Sequence, residues 1–259
     1  MLPDKRSWIY FIYSSLNRSK HIPRYPKYLK IKEWLVERIT GGELVPGARL
    51  PSEHELMNRF EVSRVTVRQA FGCLQELGLI ESKQGKGHFV KRFKAVQNLE
   101  RLQSFGEMML PFGMETHSDV IELLEVPADS DVAQSLQLTT GDPVTRIARC
   151  RVAGNVTVSL DISYFPVSLG RKIQSLDLTN KDIFLLLENT VGVALGYSDL
   201  QIDVVPARQE YFSYLNLNQG DSVIRIRRTT HDINGLPIDH EYIYSPLETM
   251  QFSIRLARW

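Results

Sequence analysis

Cysteine is scarce: Cys73 and Cys150 are the full complement of a 259-residue chain, far apart and in no pattern with its six histidines. That excludes a disulfide framework, points to a reduced compartment, and leaves no zinc or haem signature. Long apolar runs are also missing. The run Trp8–Tyr13 falls far short of the ~20 apolar residues that a bilayer crossing needs, and no small-residue cleavage site follows it. No membrane partner and a cytoplasmic location are expected, with residues 1–24 read as an N-terminal extension or an early start. The chain lacks a nucleophile elbow, a metal-ligand cluster and a dinucleotide fingerprint. Gly85-Lys86-Gly87 does not stand between a strand and a helix, as a phosphate-cradling loop must. His117, His231 and His240 are scattered surface or core histidines. No cofactor, no metal and no catalytic residue are expected.

What is present is asymmetric. The net charge of +1 conceals a first stretch, 1–95, with 18 Lys and Arg against 9 Asp and Glu, hence +9, and a remainder with 13 against 21, hence −8. A basic first third on an acidic remainder is the footprint of a nucleic-acid module joined to a domain of another kind.

The basic third reads as helices and a hairpin. Ile31, Leu35 and Ile39 form one apolar stripe over Tyr28–Ile39, which Gly41-Gly42 ends. Ser52 with Glu55 three residues later is a capping box, and Leu56 and Phe60 give the second helix its core face. After a short break, Ser63 caps a third helix whose Val67, Ala70, Phe71, Leu74 and Leu77 face inward. Arg64 and Arg68 share its outer face, one turn apart. An Arg at a helix N-terminus opposes the macrodipole unless an anion or a base edge compensates it. Two helices joined by so tight a turn make a helix-turn-helix. Gly78 then closes the helix, and residues 79–90 read as strand, glycine turn and strand: a wing made cationic by Lys83, Lys86, His88, Lys91, Arg92 and Lys94.

These residues carry a resemblance. Leu50-Pro51-Ser52-Glu53, Phe60-x-Val62-Ser63-Arg64-x-Thr66-Val67-Arg68-x-Ala70, Gly78-Leu79-Ile80 and Gly85-x-Gly87-x-Phe89-Val90 resemble the winged-helix domain of the GntR family of bacterial transcription regulators. The resemblance implies that Arg64, Thr66 and Arg68 contact bases and phosphates. It further implies that Gln84 and Gly85 dip into the minor groove at the wing tip, and that His54 stands beside a phosphate where many members carry Arg or Gln. Ser52, Ser63, Lys83, Lys86 and Gly87 complete the expected DNA-binding set. The winged helix is assigned to residues 25–92 and a linker to 93–104.

The acidic remainder contains a repeat. Shifted by 79, Val126-Pro127-Ala128 falls on Val205-Pro206-Ala207, Leu136-x-Leu138 on Leu215-x-Leu217, Gly141-Asp142-x-Val144 on Gly220-Asp221-x-Val223, and Arg146-Ile147-x-Arg149 on Arg225-Ile226-x-Arg228, 11 identities over positions 126–149. Each copy reads as a strand end, a short helix, a Gly-Asp turn, a long strand, a turn and a returning strand, Val156–Phe165 or Ile238–Tyr244. Two such units make one antiparallel sheet, covered by helices such as Ile183–Leu187. The fold class is α+β: a winged helix-turn-helix joined to a mixed α/β domain, 105–259, with a central antiparallel sheet.

That second domain resembles the UTRA effector domain of the HutC subfamily, whose fold is like chorismate lyase. The cues are Phe105-x-Glu107, Pro127-Ala128, Leu138-x-x-Gly141, Arg149-x-Arg151, Asp161-x-x-Tyr164-x-Pro166 and Gly235-x-Pro237-Ile238. Strand alternation puts Arg149 and Arg151 on one sheet face, where two guanidinium groups suit a carboxylate or phosphate. The resemblance implies that they hold the anionic end of an effector and that Asp161 binds its hydroxyls. Phe105, Tyr164, Asp182 and Tyr244 are placed around it. Gly106 and Asp182 stand where amino-sugar-phosphate sensors offer hydroxyl groups, and an Asp repels a phosphate.

The expected function is therefore a transcription regulator, a repressor, that binds a palindromic double-stranded operator as a homodimer. A small anionic metabolite (carboxylate, phosphate or phosphonate) alters its hold on DNA. The alternatives are an enzyme of chorismate-lyase-like fold fused to a DNA-binding module, and a DNA-binding protein without a ligand.

Overall fold

A computed structural model describes residues 25–258. The run Trp8–Tyr13 and the extension 1–24 lie outside the described residues. The helix α1, Lys27–Thr40, buries Ile31, Leu35 and Val36. α2, Glu53–Phe60, begins on the expected capping box, in which the Ser52 hydroxyl accepts from the Glu55 N–H and the Glu55 carboxylate accepts from the Ser52 N–H. α3, Arg64–Glu76, starts at Ser63 and buries Val67, Ala70, Phe71 and Leu74; Leu77 is half-buried at its end. Gly78 takes φ +70° just beyond, the left-handed conformation that a helix end favours. β1, Ile80–Lys83, and β2, Gly87–Val90, form the antiparallel wing.

The stretch 93–104 is not wholly irregular. It contains β3, Ala95–Asn98, which pairs in parallel with a strand from the far end of the chain. A short helix α4, Phe105–Met109, follows on a Ser104–Glu107 capping box.

The repeat then builds the sheet. The first unit is β4, Thr116–Pro127, α5, Ser130–Leu136, β5, Pro143–Ala153, and β6, Val156–Pro166. Between the units come α6, Val167–Ile173, and α7, Ile183–Leu186, which runs on into a π-helical turn, Leu187–Val191. The second unit is β7, Leu195–Pro206, a 3-10 turn Gln209–Tyr211 with α8, Phe212–Leu215, then β8, Ser222–Asp232, and β9, Pro237–Pro246. β10, Met250–Ser253, pairs with β3. The six long strands run β4-β5-β6-β9-β8-β7, every pair antiparallel. The two copies meet at the centre through β6 and β9, so corresponding strands sit at mirrored places in the order.

The two faces of the sheet differ. α5 and α8 cover one, where Val132 and Leu136 meet Val144, and Leu215 meets Ala148, Cys150 and Leu160. α6 and α7 cover the other, where Ile173, Ile183 and Phe184 meet Ile147 and Phe165. One continuous apolar core joins the winged helix to the second face: Ile31, Leu35 and Phe71 share it with Met109, Phe112, Ala153, Val158, Ile226 and Ile243.

Candidate DNA interface and effector site

The N-terminal half of α3 presents Arg64, Val65, Arg68 and Gln69 to solvent, with Val65 76 % exposed. Val65 thus lies outside the core that Val67 and Ala70 enter. Ser63 and Thr66 serve first as a cap: the Ser63 hydroxyl accepts from the Thr66 N–H at 3.4 Å and shares a 3.0 Å bond with the Thr66 hydroxyl. Glu53, part of the Leu50–Glu53 motif but with no role expected of it, has one here. It reaches both arginines, 3.3 Å from Arg64 Nε and 3.8 Å from Arg68 Nε, and so draws together the first turn of α2 and the outer face of α3. These exposed pairs are cheap to break when a phosphate arrives.

At the wing, Lys83, Gln84, Gly85 and Lys86 are exposed, and the turn closes through the Lys86 N–H donating to the Lys83 carbonyl at 2.9 Å. Gly87, at φ +106°, also leaves room for Arg49: a Cβ there would sit 3.3 Å from Arg49 Nε. His54 is exposed, and its ring shares a 3.3 Å bond with Asn58. His88, counted among the wing cations, instead stacks on Phe71 with centroids 4.0 Å apart. Burial there pushes its pKa down. Arg92 is paired with Glu248.

In the second domain the structure brings together Phe105, Arg149, Arg151, Asp161 and Asp182. Arg149 and Arg151 are each 4 % exposed. Asp161 faces Arg149 across the β5–β6 ladder and lies 3.8 Å from Arg151 Nε. Arg151 also donates to the Ser118 hydroxyl at 2.9 Å, pairs with Asp182, and lies over the Phe105 ring, 4.7 Å from its centroid. Burial, with Arg151 alongside, pulls Arg149 down to about 10. Burial and the neighbouring Glu241 push Asp161 up.

Tyr164 and Tyr244 are not in this group. Side chains alternate along a strand, so Tyr164, three residues after Asp161, points to the opposite face; Tyr244, paired with Leu160, does the same. Both line a cavity of about 440 Å³ between α5 and α8, with Arg146, Arg225, Tyr211 and Tyr242. There Arg146 Nε donates to the Tyr164 hydroxyl at 3.3 Å, and Tyr242 donates to Asp131.

The structure adds partners to the arginine face that the sequence reading passed over. The repeat supplies a second buried pair, Arg228–Glu241, the counterpart of Arg149–Asp161. Ser163 donates to Glu241 at 3.2 Å. Asp239, 1 % exposed, is pushed well up by burial and by Glu241. The matching Arg149 and Arg228 in the 79-residue shift were the available signal. Glu241 escapes that shift because it pairs one residue out of phase with Asp161.

A winged helix with a cationic outer face, joined to a repeat-built sheet that buries a charged cluster, is the build of a DNA-binding transcription regulator. Comparison with known proteins agrees. The family described as bacterial regulatory proteins, gntR family, matches residues 27–90, and the UTRA domain family matches residues 112–251. The transcriptional repressor NagR of Bacillus subtilis is 30% identical over 225 residues, covering 87% of this chain and 92% of NagR. The mannosyl-D-glycerate transport/metabolism system repressor MngR of Escherichia coli is 32% identical over 199 residues, covering 77% and 82%. The crystal structure of PhnF from Mycobacterium smegmatis shares the fold, with TM-score 0.68 at 21% identity over 90% of this chain and 99% of that one. The chain belongs to the GntR family of bacterial regulators and carries the UTRA domain of its HutC-like members. It is a DNA-binding transcription regulator and not an enzyme. Among the described residues, no helix is long and apolar enough to cross a membrane.

Proposed function

We propose that this regulator is a cytoplasmic repressor that binds a palindromic operator as a homodimer. α3 enters the major groove, and Lys83, Gln84, Gly85, Lys86 and Gly87 meet the flanking backbone and minor groove. Ser52 and His54 sit beside the phosphates. A second copy would supply the other half-site. The edge strand β4, with Val120, Ile121, Leu123 and Leu124 all exposed, is a surface that a second copy could cover.

A small anion (carboxylate, phosphate or phosphonate) binds at Arg149 and Arg151 and changes the operator affinity. The observation that carries this is that both guanidinium groups are buried while their Nε donors lack hydrogen-bond partners among the described residues. A buried donor without an acceptor costs free energy, and a ligand oxygen would satisfy it. Asp161 and Glu241 are the acceptors for hydroxyl or amine groups of the same ligand. The link to DNA is short: β5 runs from Arg151 to the hairpin at Gly154, which touches Thr40 at the end of α1.

The test is fluorescence anisotropy on the DNA upstream of the protein's own gene, at two salt concentrations, with a panel of small anionic metabolites. A steeply salt-dependent complex that one metabolite weakens is expected, with Arg149→Ala removing the metabolite effect and sparing DNA binding. A panel without any effect defeats the effector assignment. The 440 Å³ cavity supports a second reading, in which Tyr164 and Tyr244 line the effector pocket on the opposite face. In that case Tyr242→Ala, and not Arg149→Ala, abolishes the response.

A further inference from the structure

Asp182 occupies an unusual place. It is the residue immediately before α7, extended at φ −73° and ψ 137°, where an Asp side chain ordinarily accepts from the N–H groups of its own helix. It makes no such bond. Its carboxylate turns away, pairs with Arg151, and accepts the Gly106 N–H at 2.9 Å. Only 11% of the Asp182 side chain is exposed. Gly106 is fitted to this contact: a Cβ at position 106 would overlap Asp182 Oδ2. The pair thus excludes every residue but glycine for as long as the carboxylate stays seated.

Arg151 is already compensated without a ligand. Asp161 lies 3.8 Å from its Nε and Asp182 pairs with a terminal nitrogen, so an anion arriving at Arg151 meets a resident carboxylate, and like charges crowded on one buried Arg repel each other.

We propose that Asp182 is a resident anion, seated on Arg151 and the Gly106 N–H in the place that the effector's anionic end takes, and that effector binding displaces it. The displaced carboxylate has somewhere to go: the first turn of α7 lacks a side-chain cap, and an Asp at the N-cap ordinarily accepts from the second and third helical N–H groups, here Phe184 and Leu185. The exchange is one anion for another on Arg151, with an N-cap bond gained at α7. Asp182 therefore sets the affinity threshold and acts as a specificity residue. A bare anion competes poorly, and an effector must add hydrogen bonds to Asp161 and Glu241 to win. Release of Gly106 frees α4, whose Met109 packs in the core shared with α1, so the exchange is felt at the DNA-binding domain.

This rests on the anionic-effector reading above. The experiment is titration of the full-length protein with inorganic phosphate and, separately, acetate, followed by calorimetry and by amide exchange at Phe184 and Leu185. Wild type binds either anion weakly. Asp182→Asn tightens binding at least tenfold, and Gly106→Ser, which evicts the carboxylate from the other side, does the same. Adding Arg151→Gln to Asp182→Asn removes the gain. In wild type, saturating anion protects the Phe184 and Leu185 amides. If Asp182→Asn and Gly106→Ser both bind phosphate and acetate no more tightly than wild type, the Asp182–Arg151 pair is only structural and the proposal falls. The two readings fail separately: a metabolite that loosens the operator complex of wild type and Asp182→Asn at the same concentration sinks the displacement and leaves the effector assignment intact.

Discussion

Gly154 and Thr40 hold the two domains in contact: a Cβ on Gly154 would lie 2.8 Å from the Cβ of Thr40. Gly154 turns the β5–β6 hairpin at φ +58°, and Thr40 ends α1. Gly154→Ala must therefore meet both a left-handed backbone, worth about 1–2 kcal/mol for a residue with a Cβ, and the Thr40 side chain. The expected outcome is a loss of about 2–4 kcal/mol in urea unfolding, the strain and the overpacking together. In a Thr40→Gly background the cost of Gly154→Ala shrinks, leaving the left-handed backbone and the 3.3 Å approach to the carbonyl oxygen of residue 40. A double-mutant cycle with no coupling between the two positions would show that the hairpin does not press on α1 in solution.

The recognition helix and the wing are expected to fail differently. On the proposed binding mode Arg64 reads a base, so Arg64→Ala is expected to weaken specific operator binding by about 1–3 kcal/mol while random duplex is held almost as before. On the same reading Lys86 meets a phosphate, so Lys86→Ala is expected to weaken both alike and to lower the slope of log affinity against log salt by about 1. Anisotropy titrations over a salt series, on operator and random DNA, separate the two. Equal loss on both duplexes for Arg64→Ala would reassign it to the backbone.

Much of this architecture is legible in the residues. Ser52, Ser63 and Gly78 mark helix ends because caps act locally, and the repeat announces the paired sheet because both copies keep the same turn glycines, Gly141 and Gly220, at φ +94° and +93°. Alternation also puts Arg149 and Arg151 on one face. It should have separated Asp161 from Tyr164, since an odd spacing along one strand points opposite ways. Family resemblance grouped them and parity did not. Other features depend on long-range closure and leave no local trace: the pairing of β3 with β10, the reach of Glu53 to two arginines, and the seat of Asp182 against Gly106 across 76 positions. His88 reads as a wing cation by type, and only its contact with the Phe71 ring makes it a half-buried residue.

That stacked histidine gives the stability a pH dependence. Burial holds His88 below its ordinary value of 6.5, more strongly than the nearby Glu53 raises it. Between the depressed folded value and 6.5 the unfolded chain binds more protons, so stability rises with pH across that interval. The contribution is complete above 6.5 and is lost as pH falls through the folded value. His240, also lowered by burial, acts in the same direction, while Asp239, raised, acts in the opposite one. The difference between wild type and His88→Phe isolates the His88 share. Melting temperatures across pH 5 to 8 are expected to show a shallower acid-side decline in the variant, and parallel curves would mean that the ring is not buried against Phe71.

The strand that leaves the winged helix is held by the far end of the chain. The Ala95 N–H donates to the Thr249 carbonyl at 2.8 Å and the Leu99 N–H to the Ser253 carbonyl at 2.9 Å, with Met250 buried opposite Ala95. Four paired residues make a weak ladder by themselves, so Met250 must supply much of its hold by burial. Met250→Asp places a carboxylate in that apolar seat, where an unpaired charge is strongly disfavoured. Amide exchange at Ala95 and Leu99 is then expected to rise by orders of magnitude, while the Phe71 and Leu74 amides of α3 keep most of their protection, because Ile31 and Leu35 of α1 still cover them in the part of the shared core farthest along the chain from Met250. The winged helix would survive while its tether to the sheet loosens. Simultaneous loss of protection at Phe71 would show instead that the β3–β10 pair and the DNA-binding domain open as one cooperative unit.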